Sequence, residues 1–276
     1  MEKQKTVHIV TVGTSIIRNL AHNASRYSIP EELAKKYEKW SQATVRSAED
    51  AEAGSRASRG CAEFEKALEI LSGDPYRLSA ELNAMRIYLK EGEVDAVVLL
   101  ASDSGASEFS AKVLGAYLEA EGKKVETRRV GDLGVDFQGG LLNLIDEVAM
   151  VLDRYRREGY RVWINLTGGF KLEAAVLYLV SCLSGIGVEK AYYIHEAMKE
   201  TVEVPVIPVN LDKAFLGIVE KLGEEEIELD EAYKRIGAEL LDVLLRSGLA
   251  ERVGSKVRIR AWVLHLVRGS PLGRRV

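Results

Sequence analysis

The chain is predicted to be an α/β protein with a Rossmann-like, mainly parallel sheet, followed by a small winged-helix-like domain. Three observations carry this. Apolar runs of strand length alternate with longer helical patterns. Several of those runs are apolar throughout, as strands covered on both faces are. Small polar loops follow them, at the carboxyl ends where open α/β sheets take their ligands.

Residues 6–13, TVHIVTVG, read as a buried strand. A long polar helical region follows over about residues 30–73, then a helix from about 75 to 91. Residues 94–102, VDAVVLLAS, give a second buried strand, and 107–122, SEFSAKVLGAYLEAEG, a helix closed by glycine. KKVETRRV (123–130) is a third strand and GGLLNLIDEVAMVLDRYRREG (139–159) another glycine-terminated helix. YRVWINLTG (160–168) is a fourth strand, and FKLEAAVLYLVSCLSGIG (170–187) the helix after it. KAYYIHEA (190–197) and TVEVPVIPVNL (201–211) suggest two strands of a hairpin turning through MKE. Residues 41–61 read as a solvated helix flanking the cleft.

The composition changes after Leu211, which divides the chain into domains 1–211 and 212–276. The second part has an acidic linker, a helix, and LAERVGSKVRIRA, a two-stranded wing about Gly254 and Ser255.

The 47% hydrophobic content suffices for a packed core, and the 276 residues for one large domain, or one large and one small. A formal net charge of -4 argues against bulk electrostatic binding to nucleic acid, though not against a local basic pocket. Cys61 and Cys182 are far apart in helical patterns and read as buried small hydrophobes of a reducing cytosol. With no signal peptide and no apolar run of membrane length, a cytoplasmic protein is expected.

Three loops fall at strand ends: residues 13–19, 102–108 and 167–171. In the third, Gly168 and Gly169 admit close backbone approach to a ligand, and the next helix presents its first amides, an arrangement that suits a phosphate. Lys171 places a cation where it opposes the helix dipole, so it serves either a ligand or only the solvated surface. Phe170 either stacks on a base or packs, and Thr167 belongs to the same turn. In the first loop Gly13 permits a tight turn, and Thr14 and Ser15 offer hydroxyls and amides to a ligand or to a helix cap. Arg18 and Asn19 lie one turn on. The second loop offers Asp103, Ser104 and Ser107, with capping again the competing role.

No G-x-G-x-x-G follows the first strand and no G-x-x-x-x-G-K-[ST] occurs, which disfavours NAD dehydrogenases and P-loop NTPases. His8, His22, His195 and His265 show no metal spacing, and no nucleophile elbow is present, so no metal or cofactor is expected.

A strand ending in GTS, a central strand with a small polar loop, and INLTGGFK opening a helix together resemble the CARF domain of CRISPR-associated proteins, over roughly residues 5–210. The similarity is greatest to the stand-alone ring nucleases. It implies a homodimer with a Rossmann-like core whose two-fold cleft binds cyclic tetra-adenylate, a messenger of type III CRISPR defence. It further implies metal-independent cleavage, in which a ribose 2′-hydroxyl attacks its neighbouring phosphate to give linear di-adenylate with a 2′,3′-cyclic phosphate. Ser15 and Lys171 match the serine and lysine tied to cleavage in that family. Phe137, Gln138 and Gly139, in DLGVDFQGGLLNLI (132–145), match a further ligand-facing loop and either cover the ring or simply begin a helix.

Two other readings come with the family. One is a sensor that regulates transcription, because the chain's end is locally basic: Arg246, Arg252, Lys256, Arg258, Arg260, Arg268, Arg274 and Arg275 against Glu251. The other is a HEPN-type ribonuclease, because RAWVLH places Arg260 and His265 at that signature's spacing, although the segment after Leu211 is short for such a domain.

Overall fold

In the computed structural model, residues 3–183, 187–194, 200–210 and 212–269 are described. Six strands form one sheet in the order β3-β2-β1-β4-β5-β6. They are β1 (Thr6–Val12), β2 (Ala96–Ala101), β3 (Lys124–Arg129), β4 (Arg161–Asn165), β5 (Lys190–Tyr193) and β6 (Val202–Val204). The first five are parallel, with Val7 opposite Ala96 on one side and Val162 on the other, and β6 runs antiparallel to β5. The expected α/β class and the hairpin pairing of the last two strands are both present. The middle of the MKE turn, and His195, lie outside the described residues.

Period-two alternation explains the layering. Val10, Val12, Val97 and Leu99 face one apolar layer, and Val7, Ile9, Val98 and Leu100 the other. The first layer holds α1 (Ser15–His22), α2 (Glu31–Gln42), α3 (Ala48–Ser55), α4 (Ala62–Gly73), α5 (Pro75–Leu78), α6 (Ala80–Lys90) and α7 (Gly105–Ala120). The second is covered by α8 (Phe137–Arg157) and α9 (Lys171–Cys182). Edge strand β3 differs from the central ones. On the face covered by α8 it carries Glu126 and Arg128, which pair with Arg154 and Glu147 of that helix in place of an apolar contact.

Residues 41–61 depart from the expectation of a solvated helix. Ala53 and Asp50 of α3 are buried, and α3 crosses α7 at Gly54 and Gly105. A Cβ on Gly105 would fall on the Asp50 carbonyl oxygen, so only glycine lets the two helices meet there. The polar sequence misled because α3 buries its small side chains and one acid rather than an apolar stripe.

The tail comprises α10 (Lys213–Leu222), β7 (Ile227–Glu228), α11 (Leu229–Ile236), α12 (Ala238–Arg246), β8 (Ala250–Val253), β9 (Lys256–Ile259) and α13 (Ala261–Gly269). Its strands form a separate antiparallel sheet, β7-β9-β8, and the β8–β9 hairpin turns at Gly254 and Ser255, where the wing is expected. It has its own apolar cluster around Val219, Leu241, Val257 and Val263. Helix α13 also packs on α8, with Leu266 in the second layer of the main core. No helix among the described residues is long and apolar enough to cross a membrane.

Candidate functional site

The order β3-β2-β1-β4-β5 reverses its direction of winding between β1 and β4. At such a switch point the two adjoining loops diverge to opposite faces and leave a crevice outside the carboxyl ends. Those loops are the Gly13–Thr14 turn and the turn over residues 166–170. They touch: a Cβ on Gly13 would lie 3.3 Å from the Gly169 nitrogen. The Thr11 hydroxyl donates to the Gly168 carbonyl at 2.8 Å. Two loops picked out separately in the sequence are therefore one structural unit.

The glycines serve an approach within the chain. Gly168 is buried, and a Cβ there would fall on the Thr11 carbonyl oxygen and press on the Glu81 carboxylate. Gly169 has φ +80°, and its Cβ would meet the Glu173 carboxylate. The Thr167 amide donates to the Asn165 side chain, and the Thr167 hydroxyl accepts from the Ile194 amide at 3.2 Å, which ties the turn to β5.

Two helices begin at this crevice. Thr14 is the N-cap of α1 but makes no side-chain cap bond, and the first turn has no acidic residue, so no side chain of the turn offsets the positive end of the helix. Helix α9 begins at Lys171, exposed, beside the half-exposed Phe170. Arg18 is exposed one turn down α1, and neither it nor Lys171 makes an ion pair among the described residues. Gly134 of the β3–α8 loop closes one side, with Phe170 and Ser102 each 3.8 Å from where its Cβ would be.

Beneath the loops lie two buried carboxylates that sequence reasoning missed. Glu81, at the start of α6, is 1% exposed and accepts from the Ser15 hydroxyl at 2.9 Å, the Ser79 hydroxyl at 2.7 Å and the Gly13 amide at 3.4 Å. The Asn165 amide donates to the Glu81 carbonyl at 3.1 Å, which fixes α6 to the end of β4. Glu173 is 2% exposed and accepts from the Phe170 amide, while its Oε1 has no hydrogen-bond partner among the described residues. Burial pushes its carboxyl up to about 7, against the smaller downward pull of that amide. The one local signal was the position of Glu173, in the first turn of a helix, where an acid normally complements the dipole.

The loop after β2 is arranged differently. Ser104 caps α7 and donates to Asp50 Oδ1 at 2.7 Å, and the Ala106 amide donates to the same oxygen at 3.0 Å. Burial alone raises the Asp50 carboxyl, but these donors outweigh it and hold the group below its ordinary range. Ser107 donates to the Val12 carbonyl at 2.7 Å. Asp103 is held by Arg46 and Arg129, each at 2.8 Å. The two serines are buried with their hydroxyls committed inside the chain, and Asp103 is enclosed by cations.

Asn19 is also committed: its amide donates to the Leu78 carbonyl at 2.9 Å and joins α1 to α5. Asn19→Ala is expected to cost about 1 kcal/mol in urea unfolding and leave ligand affinity unchanged, the pattern of a tie rather than a contact. Gln138 and Gly139 form the first turn of α8, where the Gln138 amide is capped by Asp136 at 3.1 Å, and the Phe137 side chain lies outside the described residues.

Arg260 and His265 belong to the fold of the tail. Arg260 pairs with Asp146 of α8 at 2.7 Å and Glu251 at 3.1 Å, and His265 faces Asp153 at 3.7 Å. Both are 9% exposed, which speaks against the ribonuclease reading. The basic end is neutralised in part, with Arg258 paired to Glu226 and Glu251 and Arg268 to Glu224. Arg246, Arg252 and Lys256 are exposed and make no ion pair among the described residues, and Arg274 and Arg275 lie outside them.

Residues 76–207 match the family described as "CRISPR-associated protein (Cas_APE2256)", a span a little under half the chain. That span includes Glu81, the loop after β2, Lys171 and Glu173, and begins after the Gly13–Ser15 turn.

Proposed function

We propose that the crevice between β1 and β4 binds cyclic tetra-adenylate and opens it to linear di-adenylate with a 2′,3′-cyclic phosphate, which ends a type III CRISPR signal. The observation that carries this is the contact of the Gly13 and Gly169 turns at the sheet's switch point. An uncapped helix start and the cations Arg18 and Lys171 accompany it. A helix N-terminus with neither cap nor acid favours a phosphate. The similarity to a CRISPR-associated family over residues 76–207 supports a messenger of that defence system as the phosphate's source.

The chemistry requires positioning more than strong acids or bases. The ring must hold one 2′-oxygen in line with the scissile P–O bond, and charge developing on the phosphate must be met. The α1 amides hold the phosphate, and Lys171 neutralises the charge that grows in the transition state. A second copy of the chain, related by a two-fold axis, brings a second pair of loops to the opposite phosphate of the four-membered ring.

Incubating the protein with radiolabelled cyclic tetra-adenylate in EDTA tests this reading directly. Conversion to di-adenylate supports it; an intact, tightly bound ring would make the protein a sensor, and an unbound ring would end the proposal. Lys171→Ala is expected to slow ring opening about 100-fold while weakening binding only a few-fold.

A further inference from the structure

Glu81 is a buried acid that nothing above gives a chemical part. Its 1% exposed carboxylate takes two hydroxyl bonds and one amide bond, and no ion pair forms with it among the described residues. A carboxylate only accepts, so both serine protons point at it. Ser79 is engaged within the chain as an acceptor too, since its oxygen takes the Leu82 amide at 3.1 Å and the residue is wholly buried. Ser15 differs: its proton is committed inward, its oxygen accepts no hydrogen bond among the described residues, and the residue, 8% exposed, opens α1 beside the Gly13 turn. What Ser15 offers a ligand is therefore an acceptor, which suits a ligand hydroxyl and not a phosphate oxygen.

We propose that Glu81 is a positioning residue that fixes Ser15 as the acceptor of the attacking 2′-hydroxyl and receives that proton through it. This rests on the ring-opening reading above. In the step, the 2′-hydroxyl proton passes to Ser15 Oγ as the Ser15 proton passes to Glu81 Oε2. The 2′-oxygen forms its bond to phosphorus, the P–O5′ bond breaks, and the departing oxygen takes a proton from water. Glu81 then returns its proton to solvent through Ser15. The Gly13 amide on Glu81 Oε1 ties this relay to the turn that holds the phosphate.

The test uses the full-length protein. Glu81→Gln is expected to lower kcat for cyclic tetra-adenylate about 100-fold with Kd unchanged within about threefold. The Ser15→Ala/Glu81→Gln double variant is expected to be no slower than the worse single one, since the two act as a unit. A binding measurement on the wild type needs no variant to fold: the all-2′-deoxy ring should bind about tenfold more weakly, because Ser15 then has nothing to accept. Wild-type cleavage with Glu81→Gln equally fast, or equal binding of the ribose and deoxyribose rings, would overturn the inference alone. A wild type that leaves the ribose ring uncleaved would overturn the ring-opening reading and the inference together.

Discussion

Gly168→Ala is expected to be the most damaging single methyl group that can be added to the crevice. The new Cβ would fall on the Thr11 carbonyl oxygen, which is strand backbone in the middle of the sheet and has nowhere to go. The turn must move instead, which breaks the Thr11–Gly168 hydrogen bond and presses on the Glu81 carboxylate. Overpacking against fixed backbone with the loss of a buried hydrogen bond should cost roughly 3 kcal/mol or more, visible as a lower urea midpoint. Because the same turn carries Lys171, ligand binding should fall with stability. Gly73→Ala, a change in open space at the end of α4, is the control and should shift neither measurement appreciably.

Glu173→Gln is expected to stabilise the protein by an amount that grows from about pH 4.5 and is complete a little above pH 7. The folded state holds this carboxyl up at about 7 from an ordinary 4.5, so it keeps a proton that the unfolded chain has lost. Stability from this group is therefore full below about pH 4.5 and is lost as pH rises through about 7, a loss of about 3 kcal/mol. Glutamine is neutral at every pH, and its carbonyl still accepts the Phe170 amide. The variant should be about 3 kcal/mol more stable than the wild type at pH 8 and within about 1 kcal/mol of it at pH 4.5. Urea unfolding at the two values measures this. A gap that is constant with pH would mean the glutamate acts by shape rather than charge. His8 works in the opposite sense: burial lowers it to about 4, so its contribution is lost as pH falls from about 6.5 to 4. Across this range the two groups oppose each other, which flattens the pH profile of the wild type and makes the variant's steeper.

The strands were legible because burial on both faces leaves no polar alternation in a run such as VDAVVLLA, and the short loops after them follow from parallel connectivity. The crevice was legible in part, through the glycines and Lys171. Its floor was not. Glu81 and Glu173 stand in helical registers among other charges, and a carboxylate bound for the interior looks the same in a sequence as one bound for water. Asp50 shows why. Ser47-x-x-Asp50 has the spacing of a local cap, and the Ser47 hydroxyl does accept the Asp50 amide. The Asp50 carboxylate also crosses to α7, a partner set by the fold rather than by spacing. Ser104 and Ser107 were singled out for the same reason: a small polar loop at a strand end reads alike whether it meets a ligand or its own chain.

The Asp50 carboxylate has a consequence for the carboxyl edge of the sheet. Four helix starts line this edge of the sheet, after β1, β2, β3 and β4, and in principle each is a socket for an anion. One arrives already plugged, by an acid that the chain itself supplies to α7 and that Arg46 and Arg129 help to wall in through Asp103. Helix α8 is capped by Asp136 and α9 carries Glu173 in its first turn, so α1 alone begins with neither a cap bond nor an acid. The edge is therefore lopsided, open at the start of α1 and stopped at α7 by the chain's own acid.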